Sequence, residues 1–420
     1  MDEMKKQECK NIDLPEGFKI TELGPLPEDW QVVRLGDELI EQKQKNRNEQ
    51  SLPVYTISNV YGFILSDEFF EKQVYSRNLT NYKIVEKGDF AYNPYRVNVG
   101  SLALFRGDNP GLVSPAYTVF RVRSSDRLDP DFLLMLFKSS SLRSEIDRVA
   151  MSRGSVRRSL AYKDLSDFHI PLPPLPEKRA IAHVLRTVQR AKEATERVIQ
   201  ATQELKKSLM RYLFTYGPVP ISEAGKVPLK ETGIGSVPEH WAVVGFEGSI
   251  MNRKIRVSKV KKRDYKSKGR FPIIDQGQSS VAGYWDDVKD VYHGPLPVII
   301  FGDHTRLFKF VDMPFVCGGD GARVLHPNTD NFDPAFLFFA LLNLDIPNRG
   351  YNRHFGVLRE QKLPLPPLHE QQTIASILEL VDSKLQAEEN KKQAFVALFN
   401  TLLLNLMEGK IRLPEFAGGD

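Results

Sequence analysis

Two stretches of the chain keep apolar residues at helical spacing for longer than an ordinary globular helix needs. From Glu177 to about Phe214 there is no Gly or Pro. Apolar or tolerated residues recur at Ile181, Val188, Thr195, Thr202 and Leu209, and at Val184, Ala191, Val198, Leu205 and Tyr212. Three-four spacing sustained over about five heptads is the pattern of a coiled-coil seam. At about 1.5 Å per residue this helix would be about 57 Å long. The second stretch, Glu370 to about Met407, places Ile374, Ile377, Leu378, Val381 and Leu385 before a polar gap at 388–392, then Phe395, Leu398, Leu402 and Leu406. Each stripe is too narrow to stand alone, so the helices are expected to pair with each other. The residues expected to make the pairing are Ile181, Val184, Val188, Val198, Leu205 and Leu209 on the first and Ile374, Ile377, Val381, Phe395, Leu398 and Leu402 on the second.

Elsewhere the pattern is mixed. Short β-rich runs (Pro53–Ile57, Ala116–Val122, Pro297–Phe301) alternate with Gly and Asn turns, and a helix is expected after each Asp-Pro. Phrases also recur in the same order. Gly24-Pro-Leu-Pro-Glu-Asp-Trp-Gln-Val-Val33 returns as Gly235-Ser-Val-Pro-Glu-His-Trp-Ala-Val-Val244, and the segment Pro171–Ala182 returns as Pro364–Ala375. Asp129-Pro and Asp333-Pro, and Arg153-Gly154…Arg157 and Arg349-Gly350…Arg353, are weaker echoes. A repeat in conserved order predicts two copies of one unit. If a pseudo-two-fold axis relates them, the long helices run antiparallel. The proline phrases should be stiff connectors into the helices, with Glu177 and Glu370 in first turns where an acid suits the helix dipole. The expected fold class is α+β: two tandem globular domains separated by two long helices pairing as an antiparallel coiled coil. Expected boundaries are 1–170 for the first domain, 171–217 for the proline linker and first long helix, 218–363 for the second domain, and 364–413 for the second linker and helix.

Composition narrows the class. The chain has 420 residues, 41% hydrophobic and 26% charged, enough for more than one core. Its longest apolar run, Ala335–Leu342, is far short of the roughly 20 residues a membrane helix needs, so it is expected to be buried in a domain. The first 18 residues lack the apolar stretch of a secretory signal. Cys9 and Cys317 form neither a disulfide framework nor a metal cluster, which fits a reducing cytoplasm. The net charge of +5 is mild, but its distribution is not. Between Met251 and Arg270 stand ten Lys or Arg against one acid, Asp264. Such a block is a solvated loop or an anion-binding surface.

With these phrases in hand, the sequence resembles the specificity subunits of Type I restriction-modification systems. The resemblance covers nearly the whole chain. It is carried by the duplicated Trp phrase, the two Pro-Leu-Pro-Pro-Leu phrases before long helices, Tyr92-Asn-Pro-Tyr-Arg-Val-Asn-Val-Gly-Ser101, Ser114–Phe120, Phe301-Gly-Asp-His-Thr305 and Gly318-Gly-Asp-Gly-Ala-Arg-Val324. The resemblance implies that each variable half is a target-recognition domain for one part of a bipartite DNA site. It implies that the helices space the halves and dock two methyltransferase subunits, and through them restriction subunits. S-adenosylmethionine, ATP and magnesium are then expected on those partners, with no cofactor and no catalysis in this chain.

Asn93-Pro-Tyr95 lacks the second proline of the adenine methyltransferase motif, and no Gly-rich cofactor loop precedes it. Gly318-Gly-Asp-Gly321 lacks the length and Lys of a phosphate loop. Asp303-His304 has no metal-ligand companions at the usual spacing. Two alternatives stay open at this point: a self-sufficient DNA methyltransferase or restriction enzyme, and a coiled-coil adaptor with no DNA role. Candidate DNA-binding residues are Arg96, Asn98, Arg153, Arg157 and Arg158 in the first domain, and Lys254, Arg256, Lys261, Lys262, Arg263, His304, Arg306, Arg349 and Arg353 in the second, with Arg253, Lys259 and His354 as possible companions. Two differing readers on a stiff strut predict an asymmetric site with half-sites on the order of one to one and a half helical turns apart.

Overall fold

A computed structural model of the chain describes residues 14–59, 61–70, 72, 74–97, 100–152, 159–251, 255, 257–319, 321–347, 350 and 352–413, the side chains of 151 and 152 excepted. Contacts divide the chain into two units, residues 1–194 with 391–420 and residues 195–390. Each long helix therefore gives one half to each unit.

The first unit opens with a hairpin, Phe18–Thr21 paired with Gly24–Pro27, followed by the strand Gln31–Arg34 paired antiparallel with His169–Leu172. Its main sheet has the order Leu39–Gln42, Thr118–Val122, Phe90–Tyr92, Leu102–Leu104, all antiparallel. A second hairpin joins Tyr55–Ser58 to Gly62–Leu65. Phe90 stacks on Phe120 at 5.1 Å between centroids, and both are fully buried with Trp30, Leu35 and Phe132. The helix Pro130–Leu136 begins where expected, because Asp129 accepts from the Phe132 amide and Pro130 tolerates the first turn.

The second unit repeats the frame. Its hairpin is Leu229–Thr232 with Gly235–Pro238, its Trp-following strand Ala242–Gly245 pairs with Lys362–Leu365, and Val298–Gly302 lies between Phe308–Val311 and Ala322–Leu325. The helix Pro334–Leu342, capped by Asp333, buries Phe336, Leu337, Phe339, Ala340 and Leu341. The longest apolar run of the chain is thus a core helix. The second unit also has a mixed sheet ordered Lys259–Val260, Val316–Gly318, Phe271–Ile274, Gly283–Trp285, where the first two pairings are parallel; in the first unit the matching parallel contact among the described residues is a single bridge, Val54 with Leu112.

The repeat extends to single hydrogen bonds. Thr21 Oγ1 donates to Gly24 O at 2.7 Å and Lys19 Nζ to Glu28 O at 2.7 Å; Thr232 to Gly235 and Lys230 to Glu239 do the same at 2.7 Å each. Trp30 and Trp241 are fully buried. A buried indole N–H needs an acceptor, and each finds the first-turn glutamate of a long helix: Trp30 Nε1 to Glu177 Oε2 at 3.0 Å, Trp241 Nε1 to Glu370 Oε2 at 2.9 Å.

The long helices run Leu175–Tyr216 and Leu368–Met407. Each ends before a left-handed glycine, Gly217 (φ +79°) and Gly409 (φ +67°), the conformation a helix C-terminus commonly uses. Gly217 abuts Trp241 in the second unit, and Gly409 abuts Trp30 and Pro27 in the first. In each unit the start of one long helix therefore meets the end of the other, and the helices are antiparallel. Ile181 and Leu185 share a buried cluster with Leu403, Leu406 and Met407. Leu213 shares another with Ile374 and Leu378.

The seam differs in phase from the expectation. Buried and half-buried positions follow Ile181, Val188, Thr195, Thr202 and Leu209 together with Leu185, Lys192, Ile199, Lys206 and Leu213. The second helix repeats this with Ile374, Val381, Glu388, Phe395 and Leu402 and with Leu378, Leu385, Lys392, Phe399 and Leu406. One row in each helix is thus displaced by one residue. Val198, Leu205 and Leu398, expected in the seam, are 41%, 52% and 44% exposed. Val184 and Ile377 are half-buried against the globular cores near the helix starts. Three lysines on the true rows explain the misreading, since Lys stems can lie along apolar surface while the ammonium finds an acid. Lys206 does this, 2.5 Å from Asp382 and 5.4 Å from the Phe339 ring centroid.

Candidate nucleic-acid interface

In each unit three backbone segments converge at one end of the sheet. In the second unit they are the turn after Phe271–Ile274, the turn after Val298–Gly302 and the segment leading into the short helix Phe355–Arg359. The residue that joins them, Gln276, was not singled out from sequence. Its Oε1 accepts from the His304 amide at 3.2 Å, and its carbonyl accepts from Thr305 Oγ1 at 2.7 Å. Glycines make room for it. A Cβ on Gly302 would fall 2.1 Å from Thr305 Oγ1 and 3.2 Å from the Gln276 carbonyl oxygen, and one on Gly321 (φ +93°) 2.6 Å from Gln276 Oε1. The Phe301-Gly-Asp-His-Thr phrase and Gly321 thus lie on two sides of one packed turn cluster around Gln276.

Asp303 ties the third segment to it. Its buried carboxylate accepts from the Phe355 amide at 2.8 Å and from Arg323 Nε at 3.1 Å, while its carbonyl accepts from the His354 amide at 2.9 Å. Burial alone would raise the Asp303 pKa, but these donors outweigh it and hold the carboxyl below its usual range. Arg323 also lies over the Phe355 ring, 4.2 Å from its centroid. The result is a hydrogen-bonded platform beneath the exposed turns.

Several predicted residues lie on or beside this platform. His304 is half-buried on the turn, and Arg353 is exposed at the start of the third segment. Arg306 takes a left-handed backbone (φ +63°) and donates from Nη1 to Ile346 O at 2.8 Å, so part of its guanidinium braces the turn. His354 is fully buried, its Nδ1 3.0 Å from Asp303 O, and serves the platform. Lys261, Lys262 and Arg263 are exposed on the turn around Lys262–Asp264, which follows the strand whose Val260 O accepts from Gly319 N at 2.9 Å. Lys259 instead donates to Ala322 O at 2.8 Å. Arg253, Lys254, Arg256 and Arg349 lie outside the described residues.

The first unit has the same three segments. The hairpin after Tyr55–Ser58 adjoins the connection after Phe90–Tyr92, with Ser101 Oγ donating to Ile57 O at 3.2 Å. The third segment joins through the Leu160 amide to Pro94 O at 3.1 Å. Sheet register makes Arg96 the counterpart of Arg306, since Tyr92 pairs with Thr118 as Gly302 pairs with Ala322. Arg96 is exposed. Asn98, Arg153, Arg157 and Arg158 lie outside the described residues. Asn93 Oδ1 accepts from the Tyr95 amide at 3.0 Å, so the Asn-Pro phrase forms a side-chain-stabilised turn. Among the described residues no group of three or more His, Cys, Asp or Glu could hold a metal ion, and no helix is long and apolar enough to cross a membrane. Burial pushes the Cys317 thiol up to about 11, away from reactivity.

Comparison with known proteins agrees with this architecture. The model of the family described as Type I restriction modification DNA specificity domain matches residues 27–206 and again 247–395. The chain is 24% identical over 95% of its length to a specificity subunit assigned to the MjaX type I restriction enzyme of Methanocaldococcus jannaschii, covering 97% of that protein. It is 23% identical over 95% of its length to the MjaVIII type I specificity subunit of the same organism, again covering 97%. In fold it is similar to the S subunit of a Type-I restriction-modification system from M. genitalium, with a TM-score of 0.60 over 94% of this chain and 98% of that one at 16% identity. The chain belongs to the Type I restriction modification DNA specificity domain family and carries the domain twice.

Proposed function

We propose that this chain is the DNA-reading subunit of a Type I restriction-modification complex and carries no catalytic centre of its own. Each unit reads one part of a bipartite, asymmetric double-stranded site through its three-segment loop cluster. The paired helices space the two readers and dock two methyltransferase subunits, through which restriction subunits are recruited in the cytoplasm. S-adenosylmethionine, ATP and magnesium then act on those partners. The observation that carries this reading is a frame duplicated down to the Trp–Glu bond, with different loops at the reading end of each copy. Differing loops on a shared frame are what an asymmetric site requires.

Phosphate contacts position such a protein and base contacts specify its site. Lys261, Lys262 and Arg263 are assigned to the first task because they are exposed and grouped on one turn. Removing three phosphate contacts should flatten the salt dependence of binding by about 2.7 in log–log slope. A gel-shift series at rising salt, comparing the wild-type complex with the Lys261→Ala, Lys262→Ala, Arg263→Ala variant, tests this. An unchanged slope would contradict the assignment. Capture of a methyltransferase subunit by the folded chain is the companion expectation.

A further inference from the structure

Among the described residues the two reading ends differ in what stands at their tips. In the first unit two tyrosines project: Tyr61 is 71% exposed and Tyr95 54% exposed. Among the described residues neither hydroxyl has a hydrogen-bond partner. Their backbones are nonetheless braced. The Tyr61 amide donates to Ser58 Oγ at 3.3 Å and the Tyr95 amide to Asn93 Oδ1 at 3.0 Å. The two tips adjoin, because Gly100 approaches Asn59 so closely that a Cβ on it would lie 3.6 Å from the Asn59 Cβ. Arg96 is exposed beside Tyr95. At the matching positions the second unit carries Thr305 and the polar turn Gln276-Gly-Gln278, with no aromatic ring.

Two rings held out into water on fixed turns next to a cation suit a ligand that is apolar at one point and anionic nearby. In a DNA major groove the apolar group of the base edges is the thymine 5-methyl, with phosphates flanking it. Resting on the DNA-reading function above, we infer that Tyr61 and Tyr95 are the base-contacting pair of the first unit. They pack on thymine methyl groups, and Arg96 takes the adjacent phosphate. The half-site read by the first unit therefore contains thymines recognised by their methyls, whereas the matching positions of the second unit offer no ring to a methyl.

The test uses the full complex with its methyltransferase subunits and random-sequence duplexes synthesised in parallel with thymidine or deoxyuridine. With thymidine the wild type should enrich a two-part motif. With deoxyuridine one part should weaken by about fourfold per contacted methyl, the worth of one buried carbon. Tyr61→Ser and Tyr95→Ser should lose that difference while still selecting the second part, and Tyr61→Phe should keep it, since the ring and not the hydroxyl makes the contact. Equal motifs in both pools for the wild type would overturn the inference. So would serine variants that keep the first part, or that weaken it by the same factor in both pools and leave the difference between them, as loss of a ring wedged between base steps would do. Failure of the DNA-reading function itself is distinct: no motif would be enriched from either pool. Retention of the second part shows that the serine variants are folded.

Discussion

In the first unit the carboxylate that accepts from Trp30 is sealed from several sides. Arg412 reaches Glu177 Oε1 at 2.8 Å and Oε2 at 3.0 Å, its guanidinium also meets Asp29 at 2.7 Å, and the Leu413 amide donates to Oε1 at 3.1 Å. In the second unit the same lock is looser: Glu370 takes the Trp241 indole and the half-exposed His240 ring at 2.7 Å. One residue further the contrast reverses. Lys178 donates to Arg127 O in the first unit, and its counterpart Gln371 donates to Asn331 O at 2.9 Å in the second. Both side chains are buried, but Gln371 carries no charge to desolvate. The duplication has kept the geometry of the helix start while the chemistry that satisfies it has drifted. The lesson is that the frame is constrained by shape, and each unit balances its own charges.

The largest expected effect comes from breaking what the units share. Trp30→Ala and Trp241→Ala each remove a fully buried indole and should cost about 3–5 kcal/mol. Hydrogen exchange should show the loss around residues 18–34 and 169–185 for the first and around 229–245 and 362–378 for the second. Exchange that speeds equally in both units for either variant would show that the locks are not separate.

Next in size is the asymmetry of the seals. Arg412→Ala leaves a buried carboxylate with fewer donors and should cost about 2 kcal/mol, whereas His240→Ala, at an exposed ring, should be close to neutral in urea titration. Burial raises the Glu177 pKa, but Arg412, the Leu413 amide and Trp30 outweigh it and hold it below the usual range. Its contribution to stability is therefore complete above the unfolded-state pKa and is lost as pH falls through the lower folded value. In Arg412→Ala the folded value moves up towards the unfolded one, so the loss on acidification should be smaller and be complete at a higher pH.

A smaller effect sharpens the Lys178–Gln371 contrast. Burial lowers the Lys178 pKa to about 8. The folded state binds its proton less tightly than the unfolded chain, so the penalty is full below about 8 and is relieved as pH rises towards the ordinary lysine value of 10.5. Lys178→Gln should gain about 1–2 kcal/mol near neutral pH. It should also abolish the rise in stability between those pH values, read by thermal melts at a series of pH. A variant that melts lower at pH 7 would contradict the desolvation account.

Much of this was legible in the chain because the constraints are local. The Trp phrases mark the hairpin and lock, Asp-Pro marks two helix caps, and a run free of Gly and Pro marks each long helix. The seam phase was not legible, because Lys192, Lys206 and Lys392 occupy positions that an apolar count assigns to neighbours such as Leu205. The reading platform was half legible. Its phrases were noted, but Gln276 enters it only through the close approach of Gly302 and Gly321, which are distant from it in sequence. Tyr61 could have been found from its place at the tip of a tight hairpin, where an aromatic ring has no core to enter. His354 shows the converse, a histidine beside arginines in sequence that folds inward.

The most direct test of two separate readers on one helical frame is to map methylated adenines across a genome with this chain absent, present as wild type, and present with four residues inserted in each long helix. The wild type should add a two-part, non-palindromic motif, and the lengthened chain should keep both parts and widen the gap between them. A single uninterrupted motif, or altered half-sites with an unchanged gap, would contradict the account.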